Sequence, residues 1–142
     1  MHAAARLAGC WLVGIFFMVA GVMHFVSPAP YRAMMPPWLP QPGLLVAVSG
    51  LAEIAGGIGV LTGRFRRRAA WGLIARLLAV FPANLHVALH GWPGTDFPRW
   101  VLWLRLPFQI IFIWLVYRFC LAAGTQRAAK KPDEKPTGGI PE

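Results

Sequence analysis

Acidic residues are scarce in this chain. The sequence holds five Asp or Glu residues against fourteen Lys or Arg residues, which gives a formal net charge of +9 over 142 residues. Charged residues make up only 13% of the chain, hydrophobic residues make up 57%, and the mean hydropathy is +0.54. Soluble domains carry about twice that share of charge, so the composition excludes an ordinary soluble domain and indicates a membrane protein.

Cysteine is scarce as well. The chain has two cysteines, Cys10 and Cys120, and no Cys-x-x-Cys pair. Their spacing supports no disulfide, zinc or haem site, and no flavin or iron–sulfur motif is present. His86 and His90 stand four residues apart on one predicted helix, but no third ligand accompanies them, so the sequence predicts no metal site.

Four long apolar runs follow one another along the chain. Each has about the twenty residues that a helix needs to cross a hydrocarbon core of roughly 30 Å. The runs are Leu7–Val26, Gly43–Thr62, Ala69–Leu89 and Trp100–Tyr117. The sequence therefore predicts an all-α fold, a four-helix transmembrane bundle within residues 1–123. The Lys, Pro and Gly residues of 124–142 predict a short, basic, disordered cytoplasmic tail.

The basic residues predict the orientation of the bundle. With both termini in the cytoplasm, ten Lys or Arg residues lie on the inner side, and only Arg32 and Arg99 lie on the outer side. By the positive-inside rule, this bias predicts a multi-pass protein of the inner (cytoplasmic) membrane, N-in and C-in. Clusters of positive charge between apolar runs are typical of the signals that set the topology of a membrane protein. The lipid bilayer is therefore the expected partner, and nucleic acid is not. Both cysteines then lie near the cytoplasmic face, where thiols are kept reduced.

Glu53 is the charged residue that the second apolar run contains. It lies near the middle of that run and hence near the bilayer midplane, where a charge costs about 2.5–3.5 kcal/mol. Gly50 and Gly57 share its helical face, which predicts close helix approach and a carboxylate that faces protein rather than lipid. A carboxylate in that position requires a partner or a function.

Four further polar residues are predicted at similar depth, in the outer half of the bundle. Counted at about 1.5 Å per residue from the predicted helix ends, they are His24, Asn84, Arg105 and Gln109. Arg105 is expected to reach Glu53 and form an ion pair. Glu53 and His24 are the candidate catalytic residues, through proton handling. Arg105, Gln109 and Asn84 are the candidate ligand-binding residues. The alternative is structural: an ion pair that sets helix register, with interhelical hydrogen bonds from the two amides.

Prolines inside the third and fourth runs predict kinks beside this cluster. Pro82 and Pro107 each remove a helical hydrogen bond, which would free the carbonyl groups of Leu78 and Trp103. Arg76 is expected to extend its side chain toward the cytoplasmic side or to pair with polar backbone groups.

The loop between the first two runs is rich in proline. We expect Ser27–Pro42 to lie over the polar cluster as a cap. The apolar face of this cap is predicted to consist of Tyr31, Met34, Met35, Trp38 and Leu39.

Six ordered segments within residues 7–120 form a pattern, which consists of Gly21-Val22-Met23-His24-Phe25, Met35-Pro36-Pro37-Trp38-Leu39-Pro40, Gly50-Leu51-Ala52-Glu53-Ile54, Ala69-Ala70-Trp71-Gly72-Leu73, Val80-Phe81-Pro82-Ala83-Asn84 and Arg105-Leu106-Pro107-Phe108-Gln109. In this order and spacing the segments resemble the DoxX family of small membrane proteins. The resemblance implies a four-helix membrane protein and places the five polar residues at the family's polar positions. Some members of that family are subunits of thiosulfate:quinone oxidoreductase, others are linked to quinone or redox-stress resistance, and distant animal relatives look like assembly chaperones.

Two functions of different class follow. In the first, the chain is a quinone-linked redox or redox-stress membrane subunit, in which polar side chains hold the quinone carbonyls and a partner protein supplies electrons. In the second, the chain is a non-enzymatic membrane assembly or interaction protein with a structural polar cluster. A transporter is less favoured, because four helices with short loops leave little room for a pathway unless the chain forms a homo-oligomer.

Overall fold

The computed structural model describes residues 3–122, in which every regular element is helical. In chain order the elements are α1 (Ala3–Val26), α2 (Pro28–Ala33), α3 (Pro42–Leu61), α4 (Arg66–Ala79), α5 (Phe81–His90), α6 (Arg99–Val116) and a π-helical segment (Tyr117–Leu121) that continues α6. The predicted tail 124–142 lies outside the described residues.

Four helical stretches are long and apolar enough to cross a membrane. They are Ala4–Val26, Pro42–Leu61, Arg66–His90 and Arg99–Leu121. The prediction of four apolar helices is confirmed, and α4 and α5 together make the third stretch. Large apolar side chains such as Leu12, Val26 and Trp100 point outward and are 69%, 70% and 68% exposed. An apolar surface of this extent suits contact with hydrocarbon.

Proline and glycine mark several helix boundaries. Pro42 is the first residue of α3, where its missing N–H has no intrahelical partner to lose. Gly91, with φ 91°, ends α5 in a conformation that favours glycine. The predicted break beside Pro82 is present, because the helix is interrupted at Val80. In contrast, α6 continues as a helix through Pro107.

Glycines bring α1 and α3 into close contact at two levels. A Cβ atom on Gly21 would lie 2.6 Å from the carbonyl oxygen of Gly50. About two helical turns further along α3, a Cβ atom on Gly57 would lie 2.7 Å from the carbonyl oxygen of Gly14. Only residues without a Cβ allow these backbones to approach so closely. The predicted role of the glycines on the Glu53 face is confirmed.

The two ends of the bundle differ in character. We call the end with α2 and the 91–98 loop the cap end, and the end with the start of α1, the 62–65 turn and the π-helical segment the basic end. Buried apolar side chains from α1, α3, α4 and the last span fill the basic-end half as one core. The polar side chains gather in the cap-end half instead.

Adding one methyl group at Gly21 should separate α1 from α3. We expect Gly21→Ala to lower the free energy of unfolding by about 1–2 kcal/mol, because the new Cβ would meet backbone atoms of α3 that cannot rotate away. Thermal unfolding in detergent, followed by circular dichroism, measures this loss. The matched control is Gly72→Ala, where a Cβ meets nothing within 4 Å. Equal stability of the two variants would contradict the close contact.

Candidate functional site

Glu53 forms a buried ion pair with Arg76. The Glu53 side chain is 4% exposed and that of Arg76 is 15% exposed. The carboxylate Oε1 of Glu53 lies 2.8 Å from Nη1 of Arg76, across the contact between α3 and α4. Charges removed from water in this way need each other, because a lone buried charge is strongly destabilising.

The prediction that Arg105 pairs with Glu53 is therefore wrong, and so is the expected direction of Arg76. Depth alone does not identify neighbours: α3 packs against α1 and α4, whereas α6 packs mainly against α5 and α4. One signal was present in the sequence. Glu53 stands nine residues before Thr62 and Arg76 stands eleven after Phe65, so two helices joined by that short turn bring them to nearly equal height.

His24 connects α1 to this pair. Its Nδ1 lies 2.9 Å from the carbonyl oxygen of Ala20, and its Nε2 lies 3.3 Å from Nη2 of Arg76. A carbonyl only accepts and a guanidinium only donates, so these partners assign the hydrogen to Nδ1 and leave Nε2 as the acceptor. His24 is thus a neutral imidazole that accepts a hydrogen bond from Arg76.

Two buried atoms of the ion pair lack hydrogen-bond partners among residues 3–122. Glu53 Oε2 lies 3.2 Å from His24 Nδ1, but the hydrogen on that nitrogen is already donated to Ala20, and Oε2 receives no hydrogen bond. Arg76 Nε also has no acceptor. A buried polar atom without a partner costs about 1–3 kcal/mol. The pair therefore keeps one acceptor and one donor without a hydrogen bond among these residues.

Asn84 and Gln109 form a second polar link, between α5 and α6. Nδ2 of Asn84 donates to Oε1 of Gln109 at 3.0 Å. The Gln109 amide in turn donates to the carbonyl of Leu77, next to the interruption at Val80. The predicted freed carbonyls were those of Leu78 and Trp103. The structure instead uses Gln109 and the carbonyl one residue earlier.

Arg105 is held by an aromatic ring and a sulfur atom. Its guanidinium carbon lies 4.4 Å from the ring centroid of Trp92, and its Nη1 donates to Sδ of Met34 at 3.5 Å. Within residues 3–122 no carboxylate lies within 4.0 Å of it. Trp92 is itself anchored, because its Nε1–H donates to the carbonyl of Pro30 at 3.2 Å. Arg105 is thus positioned without being neutralised.

Tyr31 of α2 covers the cluster from the cap end. Its ring stacks on the His24 imidazole, with centroids 3.9 Å apart and planes 24° apart. Burial raises the pKa of the Tyr31 phenol, and the nearby Glu53 carboxylate raises it further. Tyr31 therefore keeps its hydroxyl hydrogen at neutral pH and remains a hydrogen-bond donor.

The predicted cap is confirmed for part of the loop. Tyr31, Met34 and Met35 line the space above the polar cluster. Trp38 and Leu39 were expected on the same face, but neither lines this space, and Trp38 is 68% exposed. The cap is formed by α2 and the residues directly after it.

A cavity of about 370 Å³ lies where these groups meet. Small-molecule sites have volumes of about 300–1,000 Å³ and mostly apolar walls. All five residues predicted for the site line the cavity, and Arg76 lines it as well. The apolar wall consists of Phe16, Phe17, Ala20, Met34, Met35, Leu77, Val80, Ala83, Phe108 and Phe112.

This arrangement can hold a polar headgroup in an apolar surrounding. Arg76, Arg105 and Tyr31 are donors, and Glu53 is an acceptor that can also take up a proton. Sequence reasoning missed Arg76 as a site residue, and it assigned Tyr31 only to the apolar face of the cap rather than as a hydrogen-bond donor. The equal height of Glu53 and Arg76 was the available signal for the arginine.

The family model that matches this chain is described as a domain of unknown function, DUF8561. It covers residues 13–120, well over half of the chain, so the chain belongs to that family. Comparison with curated proteins and with solved structures finds no match. The DUF8561 match neither names an activity nor tests the resemblance to the DoxX family, which stays a prediction.

Proposed function

We propose that this member of the DUF8561 family binds a quinone in the cap-end cavity and acts as a quinone-linked redox or redox-stress subunit of the cytoplasmic membrane. The observation that carries the proposal is the buried Glu53–Arg76 pair. This pair lines an apolar cavity and keeps one acceptor atom and one donor atom without partners. A quinone or its reduced form presents complementary groups, carbonyl oxygens that accept and hydroxyl groups that donate.

The charges around the cavity support a headgroup with two polar ends. Glu53 and Arg76 lie on one wall, while Arg105 comes from α6 and has no carboxylate partner within residues 3–122. A quinone carries its two carbonyl oxygens on opposite sides of the ring. In the proposed pose, Arg76 donates to one quinone oxygen and Arg105 donates to the other. Glu53 accepts from the first oxygen only when that oxygen carries a hydroxyl hydrogen, in the reduced form.

The apolar wall supports a ligand that arrives from the bilayer. Phe16 of α1 and Phe108 of α6 both line the cavity, yet they are 47% and 48% exposed on the outer surface of the bundle. Phe16 also stacks on Phe112, with ring centroids 4.6 Å apart. In the proposal these rings border an opening between α1 and α6, through which an isoprenoid tail extends into lipid.

The distribution of basic residues supports the proposed orientation. Arg6, Arg64 and Arg66 to Arg68 lie at the basic end, which in the proposal faces the cytoplasm with both chain termini. The cap end and its cavity then lie in the outer half of the bilayer.

Proton handling falls to the residues of the cluster. A bound quinone supplies two-electron, two-proton redox chemistry, and a redox partner protein exchanges the electrons. Glu53 Oε2 accepts a proton from the ligand hydroxyl, and Arg76 stabilises the carboxylate when the proton leaves. His24 orients Arg76 through its Nε2 atom, and its Nδ1 atom lies 3.2 Å from Oε2.

Quinone content tests the proposal. Protein purified in a mild detergent should carry quinone that organic solvent extracts and mass spectrometry quantifies. Glu53→Gln keeps the size of the side chain but removes the carboxylate, so we expect about a tenfold lower quinone content, equivalent to about 1.4 kcal/mol of binding free energy. Arg105→Leu should lower the content in the same way.

Matched controls separate loss of binding from loss of charge in general. Asp96→Asn and Arg99→Leu change an acidic and a basic residue that are exposed at the cap end, and both should retain the wild-type quinone content. Full retention of quinone in folded Glu53→Gln and Arg105→Leu would overturn the proposal. The cluster would then be structural, and mass spectrometry of co-purifying proteins would be the way to identify an assembly or interaction role.

A further inference from the structure

The two cysteines of the chain meet inside the basic-end core. Cys10 on α1 and Cys120 in the π-helical segment are 1% and 3% exposed. Their sulfur atoms lie 2.7 Å apart, although 110 positions separate the residues in sequence. Both are free thiols. Neither takes part in the quinone site, and their spacing in sequence gave no indication of this contact.

Local helix geometry brings Cys120 to this position. The helix of the last span changes to π-helical winding at Tyr117–Leu121. Single π-helical turns are rare in proteins overall, and those that exist are often found at functional sites. At the same level, Gly9 of α1 leaves room for the ring of Phe119, where a Cβ atom would overlap that ring. The two helices therefore approach closely at the level of the thiols.

An arginine stands beside the thiol pair. The Cys10 thiol donates to the carbonyl of Val60 at 3.5 Å, and Nε of Arg66 donates to the same carbonyl at 3.0 Å. A cation next to a cysteine stabilises negative charge on sulfur, the form that attacks an oxidant. Arg66 is only half-buried, which places the pair close to the border between core and water.

We propose that Cys10 and Cys120 form a reversible disulfide in response to hydroperoxides, which links the first and the last span at the basic end. Disulfides in reducing compartments are usually transient and serve catalysis or redox sensing. A link here would tie α1 to α6, the two helices that border the cavity at Phe16 and Phe112. The proposal rests on the thiol geometry and holds whether or not a quinone binds.

The hydroperoxide is the two-electron oxidant in this reaction. The Cys10 sulfur attacks the terminal oxygen, an S–O bond forms, the O–O bond breaks, and an alcohol or water leaves. The Cys120 sulfur then attacks the sulfenic acid, the S–S bond forms, the S–O bond breaks, and water leaves with the remaining thiol hydrogen. Two thiols are oxidised and one hydroperoxide is reduced. A dithiol reductant restores both thiols.

Mass spectrometry of the full chain tests this directly. Protein in mild detergent is treated with hydrogen peroxide, then unfolded and labelled with a maleimide. We expect complete loss of both labels, a mass decrease of two hydrogen atoms before labelling, and a linked peptide pair that contains Cys10 and Cys120. Dithiothreitol should restore both labels.

Single variants and a charge variant complete the test. Cys10→Ser and Cys120→Ser should give no linked peptide, and oxidised wild-type protein should unfold at a higher temperature than reduced protein while neither variant shows that shift. Arg66→Gln should slow disulfide formation several-fold relative to Arg67→Gln, whose arginine is exposed. Two maleimide labels on peroxide-treated wild-type protein, or sulfinic acids at both sulfurs without a linked peptide, would overturn the proposal.

Discussion

Replacing Arg76 with methionine is expected to lower the free energy of unfolding by about 3–5 kcal/mol. The variant leaves Glu53, whose side chain is 4% exposed, without the guanidinium that lies 2.8 Å from its Oε1. No other arginine or lysine within residues 3–122 lies within 4.0 Å of that carboxylate. His24 would also lose the donor to its Nε2 atom. Denaturant or thermal unfolding in detergent measures the loss.

The double variant Glu53→Met with Arg76→Met should recover most of that stability. Replacing both members of a buried pair by apolar residues of similar volume is often neutral, because neither charge then remains unpaired. Arg67→Met, at an exposed position of α4, is the control for loss of a positive charge and should change little. Strictly additive losses in the double variant would show that the pair contributes no coupling.

Much of the fold could be predicted because it depends on the composition of continuous segments. Each apolar run is long enough to span a bilayer, and residues such as Pro42 and Gly91 end or begin helices for local reasons. The interruption beside Pro82 also has a local cause, because proline has no backbone N–H to donate to the carbonyl group four residues earlier. The π-helical winding at Tyr117–Leu121 had no such local signal.

The members of the polar cluster could be predicted, but the pairs could not. Depth along each helix correctly gathers His24, Glu53 and Gln109 around one cavity. Which side chains touch depends on which helices are neighbours, and a list of spans does not contain that information. Arg105 and Arg76 both lie at a depth from which an arginine side chain could reach Glu53. Arg76 forms the ion pair because α4 packs directly against α3.

The same limit explains why the thiol contact was missed. Cys10 and Cys120 lie on the first and last spans, and nothing in their spacing shows that those helices meet. The predicted absence of a disulfide rested on the reducing compartment and on the lack of a Cys-x-x-Cys pair. The sulfur atoms lie 2.7 Å apart, so the structure supplies the geometric argument that the sequence lacked.

Replacing Gln109 with leucine should cost on the order of 2 kcal/mol of unfolding free energy. The amide of Gln109 serves two partners at once: it donates to the carbonyl of Leu77 and accepts from Nδ2 of Asn84 at 3.0 Å. Leucine preserves the volume but leaves both groups without a partner, in surroundings with little water. The Leu77 carbonyl lies beside the interruption at Val80, so amide hydrogens at the start of α5 should also exchange faster in the variant.

A cycle with Asn84→Leu separates the two bonds of Gln109. Asn84→Leu alone removes one bond and keeps the bond to Leu77, so it should cost less than Gln109→Leu. In the Asn84→Leu background, Gln109→Leu leaves only the Leu77 carbonyl unpaired, and its cost should fall by about 0.5 kcal/mol or more. An unchanged cost in that background would mean that Asn84 and Gln109 do not stabilise each other. The carbonyl of Leu77 would then account for the whole effect, and Gln109 would act as a cap on the broken third span rather than as a link between α5 and α6.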